Sequence, residues 1–382
     1  MSKTLVKEFS KKLIAWHTAY GREGLPWQGV KDPYAVWVSE IMLQQTQVAT
    51  VLERYPRFMK RFSNVQVLAS APIDDVLAEW AGLGYYSRAR NLHTCAQQVM
   101  TDFSGHFPQD PRLLEQLKGI GRSTAGAITA FAFEERAPIL DANVKRILTR
   151  LFGIDGAIQE KQTHDRLWGL AEELLPFAAH EMPVYTQALM DFGATWCTSR
   201  KPACLSEGRK CPFIKECQAN LSNLVLELPH KAPKAKSPEF DCDMMLMRCG
   251  NSVLLQKRPD NAIWGGLWSL PESVWRPRLH QEQSINNLSA QELFKLTVPR
   301  VDFATLIKSS LDVKRDQQIK HIFTHRRLWM QIWQIDVSVQ FKLENQNMRW
   351  VSLHELGKYG LPQPIKLLLQ GVNLVRDDEK EN

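Results

Sequence analysis

The apolar pattern changes period once along this chain, and that change demands at least two separately packed cores. Up to residue 222 apolar side chains recur at helical spacing almost throughout, whereas beyond residue 240 they fall in short runs rich in strand formers. Between them, residues 223–240 end in HKAPKAKSPEF, where proline and lysine replace apolar residues, the composition of a linker. At about 150 residues per domain, 382 residues accommodate two or three domains, and a 44% hydrophobic content supplies more than one core. The expectation is an all-α domain over 1–222, a linker over 223–240 and an α+β domain over 241–372.

Local signals sharpen both halves. Asp32-Pro33 and Asp110-Pro111 each pair a helix-capping carboxylate with a proline at the first helical position. After Asp141, Val144, Ile147, Leu148 and Leu151 form one stripe of an amphipathic helix. Further on, MMLMRCGNSVLLQKR predicts two strands turning at Gly250-Asn251, residues 328–337 a further strand, and residues 364–372 a closing helix. No run of 18 apolar residues occurs, which argues against a membrane span. The N-terminus carries Glu8 and lacks the apolar core of a secretory signal, so a cytoplasmic protein is expected. The charge balance, 48 basic minus 41 acidic or +7, fits a nucleic-acid partner and an ordinary enzyme equally.

Function must come from local chemistry. Residues 113–131, LLEQLKGIGRSTAGAITAF, describe a helix, a Gly-x-Gly hairpin and a second helix. Gly119 and Gly121 allow close backbone approach, and the amides of the helix beginning near Ser123 would face a phosphate. A plain helix–helix turn is the alternative for the glycines alone. Asp141 opens a helix, as a cap and as a carboxylate available to a cationic transition state. In VWVSEIMLQQTQV, Glu40, Gln44 and Gln47 share one helix face beside an apolar stripe of Trp37, Ile41, Val48 and Leu52. A glutamate there is either a surface residue or a general acid with a raised pKa. GLGYYSRARNL places Tyr85 beside Arg88 and Arg90, suited to base stacking and phosphate contact or to a core. Seven cysteines, an odd number, argue against a disulfide framework in such a chain, and four of them, Cys197-x6-Cys204-x6-Cys211-x5-Cys217, are spaced for an iron–sulfur cluster or zinc.

The motifs LPWQ (25–28), SEIMLQQTQV (39–48), GLGYYSRARNL (82–92), GIGRSTAGAI (119–128), ILDANVKR (139–146) and YTQALMDFGATWC (185–197) together resemble the adenine DNA glycosylase family. That family lies in the helix-hairpin-helix superfamily related to endonuclease III. RPDNAIWGGLWSLPE (258–272), FTH (323–325) and the closing RWVSLHELGKYGLPQPIKLLL resemble its second, MutT-like (Nudix) domain. The resemblance implies base-excision repair of adenine mispaired with 8-oxoguanine or guanine in double-stranded DNA, by a monomer. It makes Glu40 and Asp141 catalytic, Gln28 and Gln187 adenine-pocket residues, and Leu43, Gln45 and Tyr85 wedges into the duplex. Arg88, Arg90, Gly119, Gly121, Ser123, Asn143 and Lys145 join the DNA-binding set, and Phe323, Thr324 and His325 would read the opposing lesion. A 4Fe–4S cluster on Cys197, Cys204, Cys211 and Cys217 is the implied cofactor. Ser123 stands where bifunctional relatives carry a lysine nucleophile, so hydrolysis without strand cleavage is expected. The residues depart from the family twice, in LKGIG for LPGVG and in a middle cysteine gap four residues longer. The alternatives are a non-catalytic lesion sensor and an 8-oxo-dGTP hydrolase. The absence of the REUxEExGU carboxylates after WSLPE disfavours the hydrolase.

Overall fold

A computed structural model describes residues 3–206, 210–230, 237–278, 313–343 and 345–378. The chain divides into two compact units, residues 1–71 with 90–234 and residues 72–89 with 235–382.

The first unit is helical. Its long helices are α1 (Lys3–Tyr20), α2 (Pro33–Leu43) and α3 (Val48–Arg61), followed by the short α4 (Val65–Ser70). After α5 (Ile73–Glu79), which groups with the second unit, come α6 (Ser87–Asp102), α7 (Pro111–Leu114), α8 (Arg122–Phe133) and α9 (Ala142–Phe152). α10 (Lys161–Glu173), α11 (Met182–Asp191) and α12 (Gln218–Leu221) complete it. Asp32 and Asp110 cap α2 and α7, each accepting from an amide two residues on, with proline at the first helical position. The predicted stripe of α9 is buried and joins Phe9, Leu13 and Trp16 of α1, Tyr185 of α11, Phe192 and Phe213 in one core.

Two expectations are corrected here. The run from Trp37 to Leu52 is not one helix. α2 ends at Leu43, Gln45 takes a left-handed φ of 55°, and Gln47 caps α3. Apolar residues on either side of the break are buried, and tertiary packing outweighs local helix continuity. The first part of the expected linker is folded: Val225 and Leu228 are buried with Ala219, and the Arg150 Nε donates to Leu228 O at 3.0 Å. Residues 231–236 lie outside the described residues, and strand pairing begins at Glu239.

The second unit is built on a mixed sheet with seven strands among the described residues. These are β1 (Glu239–Cys249), β2 (Ser252–Lys257), β3 (Trp268–Ser269), β4 (Arg276–Pro277), β5 (Val313–Ile322), β6 (Arg327–Asp336) and β7 (Met348–Ser352). The order is β3-β2-β1-β6-β5, with β4 on β1 and β7 on β2. β1 and β2 form the predicted hairpin around Gly250, whose φ of 55° suits the tight turn. β1 then runs parallel to β6 from Glu239↔Arg327 to Arg248↔Asp336. Side chains alternate between two faces. Met244, Leu246, Val253 and Ile332 pack with Ile365, Leu368 and Leu369 of α13 (Gln363–Asp378), whereas Met245, Met247 and Leu254 pack on the other face.

Residues 72–89, expected inside the helical domain, group by contact with this second unit. The cause lies in its contacts: Lys257 Nζ pairs with Asp74 at 2.7 Å, and Tyr86 Oη donates to Leu361 O at 3.2 Å. No helix among the described residues is long and apolar enough to cross a membrane.

Candidate active site

The hydrophobic surround of α2 sets the state of Glu40. The helix is buried from Tyr34 to Ile41 on nearly every side, and Glu40 is its one carboxylate. Burial, with a smaller contribution from the nearby Asp141 charge, pushes Glu40 up to about 8. Glu40 therefore holds a proton at neutral pH. Asp141 caps α9, accepting at Oδ1 from Val144 N (2.8 Å) and at Oδ2 from Asn143 Nδ2 (3.4 Å). Burial raises Asp141 as well, but these donors and the Arg146 charge oppose the shift. The two carboxylates thus differ in what surrounds them: Glu40 feels a negative neighbour, Asp141 feels donors and a cation.

Several bonds fix where Asp141 sits. Ser123 Oγ accepts from Leu140 N at 3.0 Å, tying the residue before Asp141 to the first turn of α8. Gly126 of α8 lies against the Pro138 carbonyl so closely that any Cβ there would collide with it. Arg146 links Asn143 Oδ1 (2.7 Å), Gly193 O (2.6 Å) and Cys197 O (2.7 Å). Lys145 lies half-buried on α9.

A cavity of about 500 Å³ opens beside Glu40. Gln28, Leu43 and Gln187, all expected pocket or wedge residues, line it together with Arg22, Trp27, Phe131 and Met190. The two glutamines differ. Gln28 braces its own loop, accepting from Leu25 N (3.0 Å) and donating to Arg22 O (2.8 Å). Gln187 donates to Asp191 Oδ1 at 2.9 Å. Arg22 and Asp191 escaped the sequence analysis, although Gln187 and Asp191 stand at i,i+4 on one helix.

The hairpin follows its sequence. Gly119 adopts φ 83°, a conformation open to glycine, and Gly121 precedes α8 without a side-chain cap, leaving the first amides of that helix to outside acceptors. Gln45 is exposed, and Tyr85 is 40% exposed with a left-handed φ of 46°. Arg88, expected among the DNA-contacting residues, has a partner within the loop. It is buried, and its Nη2 donates to Leu83 O (2.9 Å) and Gly84 O (3.2 Å), so it holds the glycine loop in shape. Arg90 is half-buried on α6.

The four expected cysteine ligands line one cavity, with Arg150, Phe192, Trp196 and Phe213 around them. Burial, helped by repulsion among the thiolates, pushes Cys211 up to about 12 and raises Cys204 and Cys217 in the same direction. Four cysteine sulfurs facing one cavity are a donor set that fits a metal group. Among the described residues no three metal-type side chains close to single-ion spacing. Residues 207–209 of the long middle gap lie outside the described residues.

In the second unit Phe323, Thr324 and His325 form the turn from β5 into β6, closed by Phe323 N donating to Arg326 O at 2.9 Å. Thr324 and His325 are exposed. Phe323 packs against Trp264 (5.7 Å between ring centroids) and His321 (4.6 Å). The hydroxyls of Thr324 and Tyr85 meet at 3.4 Å, so two expected DNA-contacting groups lie side by side within this unit.

Comparison with known proteins agrees with this architecture. Residues 38–173 match the HhH-GPD superfamily of base excision DNA repair proteins, and residues 243–371 match the NUDIX domain. The adenine DNA glycosylase of Buchnera aphidicola subsp. Baizongia pistaciae is 32% identical, across 94% of this chain and 95% of its own length. The human adenine DNA glycosylase is 31% identical, across 92% of this chain and 71% of its own. A thermostable thymine-DNA glycosylase superposes on 58% of this chain and 99% of its own with a TM-score of 0.52 and 28% identity. A helical base-excision domain followed by a Nudix sheet domain, and identity carried over nearly the full length, place the chain in the adenine DNA glycosylase family.

Proposed function

We propose that the chain excises adenine opposite 8-oxoguanine or guanine by hydrolysis, with Glu40 as the acid and Asp141 as the electrostatic stabiliser. The observation that carries this is the buried Glu40 beside a cavity with room for a purine base, with a second carboxylate, Asp141, near enough to raise its pKa. The adenine must leave the base stack before a protein acid can reach its ring. Glu40 then donates its proton to purine N7, which makes adenine a better leaving group. The sugar develops oxocarbenium character, and an ionised Asp141 opposes that charge. Two carboxylates in unlike environments, one protonated and one charged, are a recurrent solution to glycosidic cleavage. Glu40, once deprotonated, orients the incoming water. Ser123 cannot form a Schiff base, and its hydroxyl is already engaged by Leu140 N, so the strand stays intact.

Cys197, Cys204, Cys211 and Cys217 would hold a 4Fe–4S cluster, for which four cysteine thiolates are the usual ligand set. When bound, it supplies a clamp for the loop carrying Arg200 and Lys201. In the second unit Thr324 would distinguish 8-oxoguanine, which offers a donor at N7 where guanine offers an acceptor. The protein would act as a monomer in the cytoplasm, wherever the DNA lies.

Single-turnover assays on A·8-oxoguanine and A·G duplexes test the reaction. Free adenine should appear with an abasic strand that breaks only on later alkali treatment. Tight binding of the mispair without release of adenine would favour the lesion sensor, and strand breakage without alkali would remove the hydrolytic assignment. Iron and sulfide analysis of anaerobically purified protein should find the cluster, whereas zinc or a colourless, metal-free, active protein would remove it.

A further inference from the structure

Asp191 is a heavily engaged carboxylate of the first unit. It is fully buried, and four groups converge on it. Arg22 donates its backbone amide to Oδ2 (2.9 Å) and its Nε and Nη2 to Oδ1 (2.8 and 2.5 Å). His17 Nε2 reaches Oδ2 at 3.2 Å, and Gln187 Nε2 donates to Oδ1 at 2.9 Å. Burial by itself raises Asp191, but the donors outweigh it and hold the carboxyl below its ordinary range. An ionised carboxylate can only accept. The orientation of the Gln187 amide, ordinarily ambiguous between its two ends, is therefore dictated: the nitrogen must face Asp191. Its carbonyl oxygen is left for whatever occupies the cavity that Gln187 lines.

We infer that Asp191 is a positioning residue for base selection: by fixing the Gln187 amide it presents an acceptor to the cavity, which favours a base carrying an exocyclic amine over one carrying an oxo group. The inference rests on the proposal that this cavity receives the excised base. Adenine offers N–H at its 6-position, whereas hypoxanthine, of nearly the same shape, offers a carbonyl oxygen there. Two acceptors facing each other in a desolvated pocket leave both unpaired, and a site built for a donor rejects the analogue that lacks one. Arg22 and His17 complete the frame, Arg22 anchoring the 21–28 loop and His17 the end of α1 to the same carboxylate.

The test compares single-turnover release of adenine and of hypoxanthine, each opposite the same base, by the full-length protein. Taking the ratio of the two rates cancels losses common to both bases, including any loss from general loosening. In D191N the side chain at this position can donate as well as accept, so the Gln187 amide is free to turn. The adenine-to-hypoxanthine ratio should fall by at least about tenfold, the equivalent of one mispaired polar contact. In D191N/Q187E the hydrogen bond reverses, the introduced amide donating to the introduced carboxylate, and an acceptor again faces the cavity. The ratio should return toward that of the unaltered protein. The double variant also keeps one carboxylate near Arg22, so its ratio decides the matter alone should D191N fail to fold. A D191N protein slowed equally on both bases, or a folded D191N/Q187E protein whose ratio stays collapsed, overturns the inference. Unaltered protein that releases no adenine overturns the pocket assignment instead, a separate result.

Discussion

In the proposed mechanism Glu40 ties function to stability in a single proton. Its pKa is raised from 4.5 to about 8, so the folded chain binds a proton that the unfolded chain has released. The stability held below pH 4.5 is lost progressively as pH rises toward 8, because unfolding lets Glu40 ionise in water. Glu40→Gln removes this term. The variant should be more stable than the unaltered protein above pH 8, by an amount on the order of several kcal/mol, with little difference near pH 4. Thermal melts at the two pH values check it, and a pH-independent difference would show that Glu40 is not a buried, protonated carboxyl. Asp141 separates its two duties in the same way. Asp141→Asn keeps a capping oxygen and should melt within a few tenths of a kcal/mol of the unaltered protein, whereas Asp141→Ala should lose about 1 kcal/mol. Both should lose excision, since neither carries the charge. The apolar setting of Glu40 and the capping by Asp141 were legible in the sequence. Asp191 was not legible as a centre, because Arg22 and His17 reach it from 169 and 174 residues away. The burial of Arg88 was not legible either: arginine beside tyrosine fits stacking on a base and packing in a core equally.

At the scale of elements, α8 and α9 behave as one device. The Ser123 bond to Leu140 and the contact of Gly126 with the Pro138 carbonyl set the distance between the hairpin helix and the segment that delivers Asp141. Gly126→Ala should push residues 138–141 outward while leaving the hairpin amides in place. Duplex binding should persist within a few fold, and excision should fall by about a hundredfold, the usual cost of displacing a reacting group by an ångström. Parallel filter-binding and single-turnover measurements check it, and equal losses in both would mean that the glycine serves folding alone. α9 was fully legible from its 3.6-residue period and its cap. The break between α2 and α3 was not, since Gln44 to Gln47 carry no turn signature and a left-handed glutamine is not announced by its residue type.

Across the whole molecule, two cores and a change of period were visible in the pattern, but the assignment of residues 72–89 was not. Gly82 and Gly84 announce a loop without saying which core it joins, and the ion pair of Asp74 with Lys257 spans 183 residues. That grouping brings Tyr85 and Thr324 into one unit. Thr324→Val, which keeps shape and removes the hydroxyl, should weaken the preference for A·8-oxoguanine over A·G while leaving A·G excision within a few fold. Competition assays with mixed duplexes check it, and an unchanged preference would take lesion reading away from this turn. The measurement closest to the central claim is the pH profile of single-turnover adenine release. A protonated Glu40 predicts a rate that is flat near neutrality and falls tenfold per pH unit above about pH 8, with Glu40→Gln slow and flat throughout. A rate that rises through pH 8, or a Glu40→Gln variant that retains the profile of the unaltered protein, would contradict Glu40 as the acid.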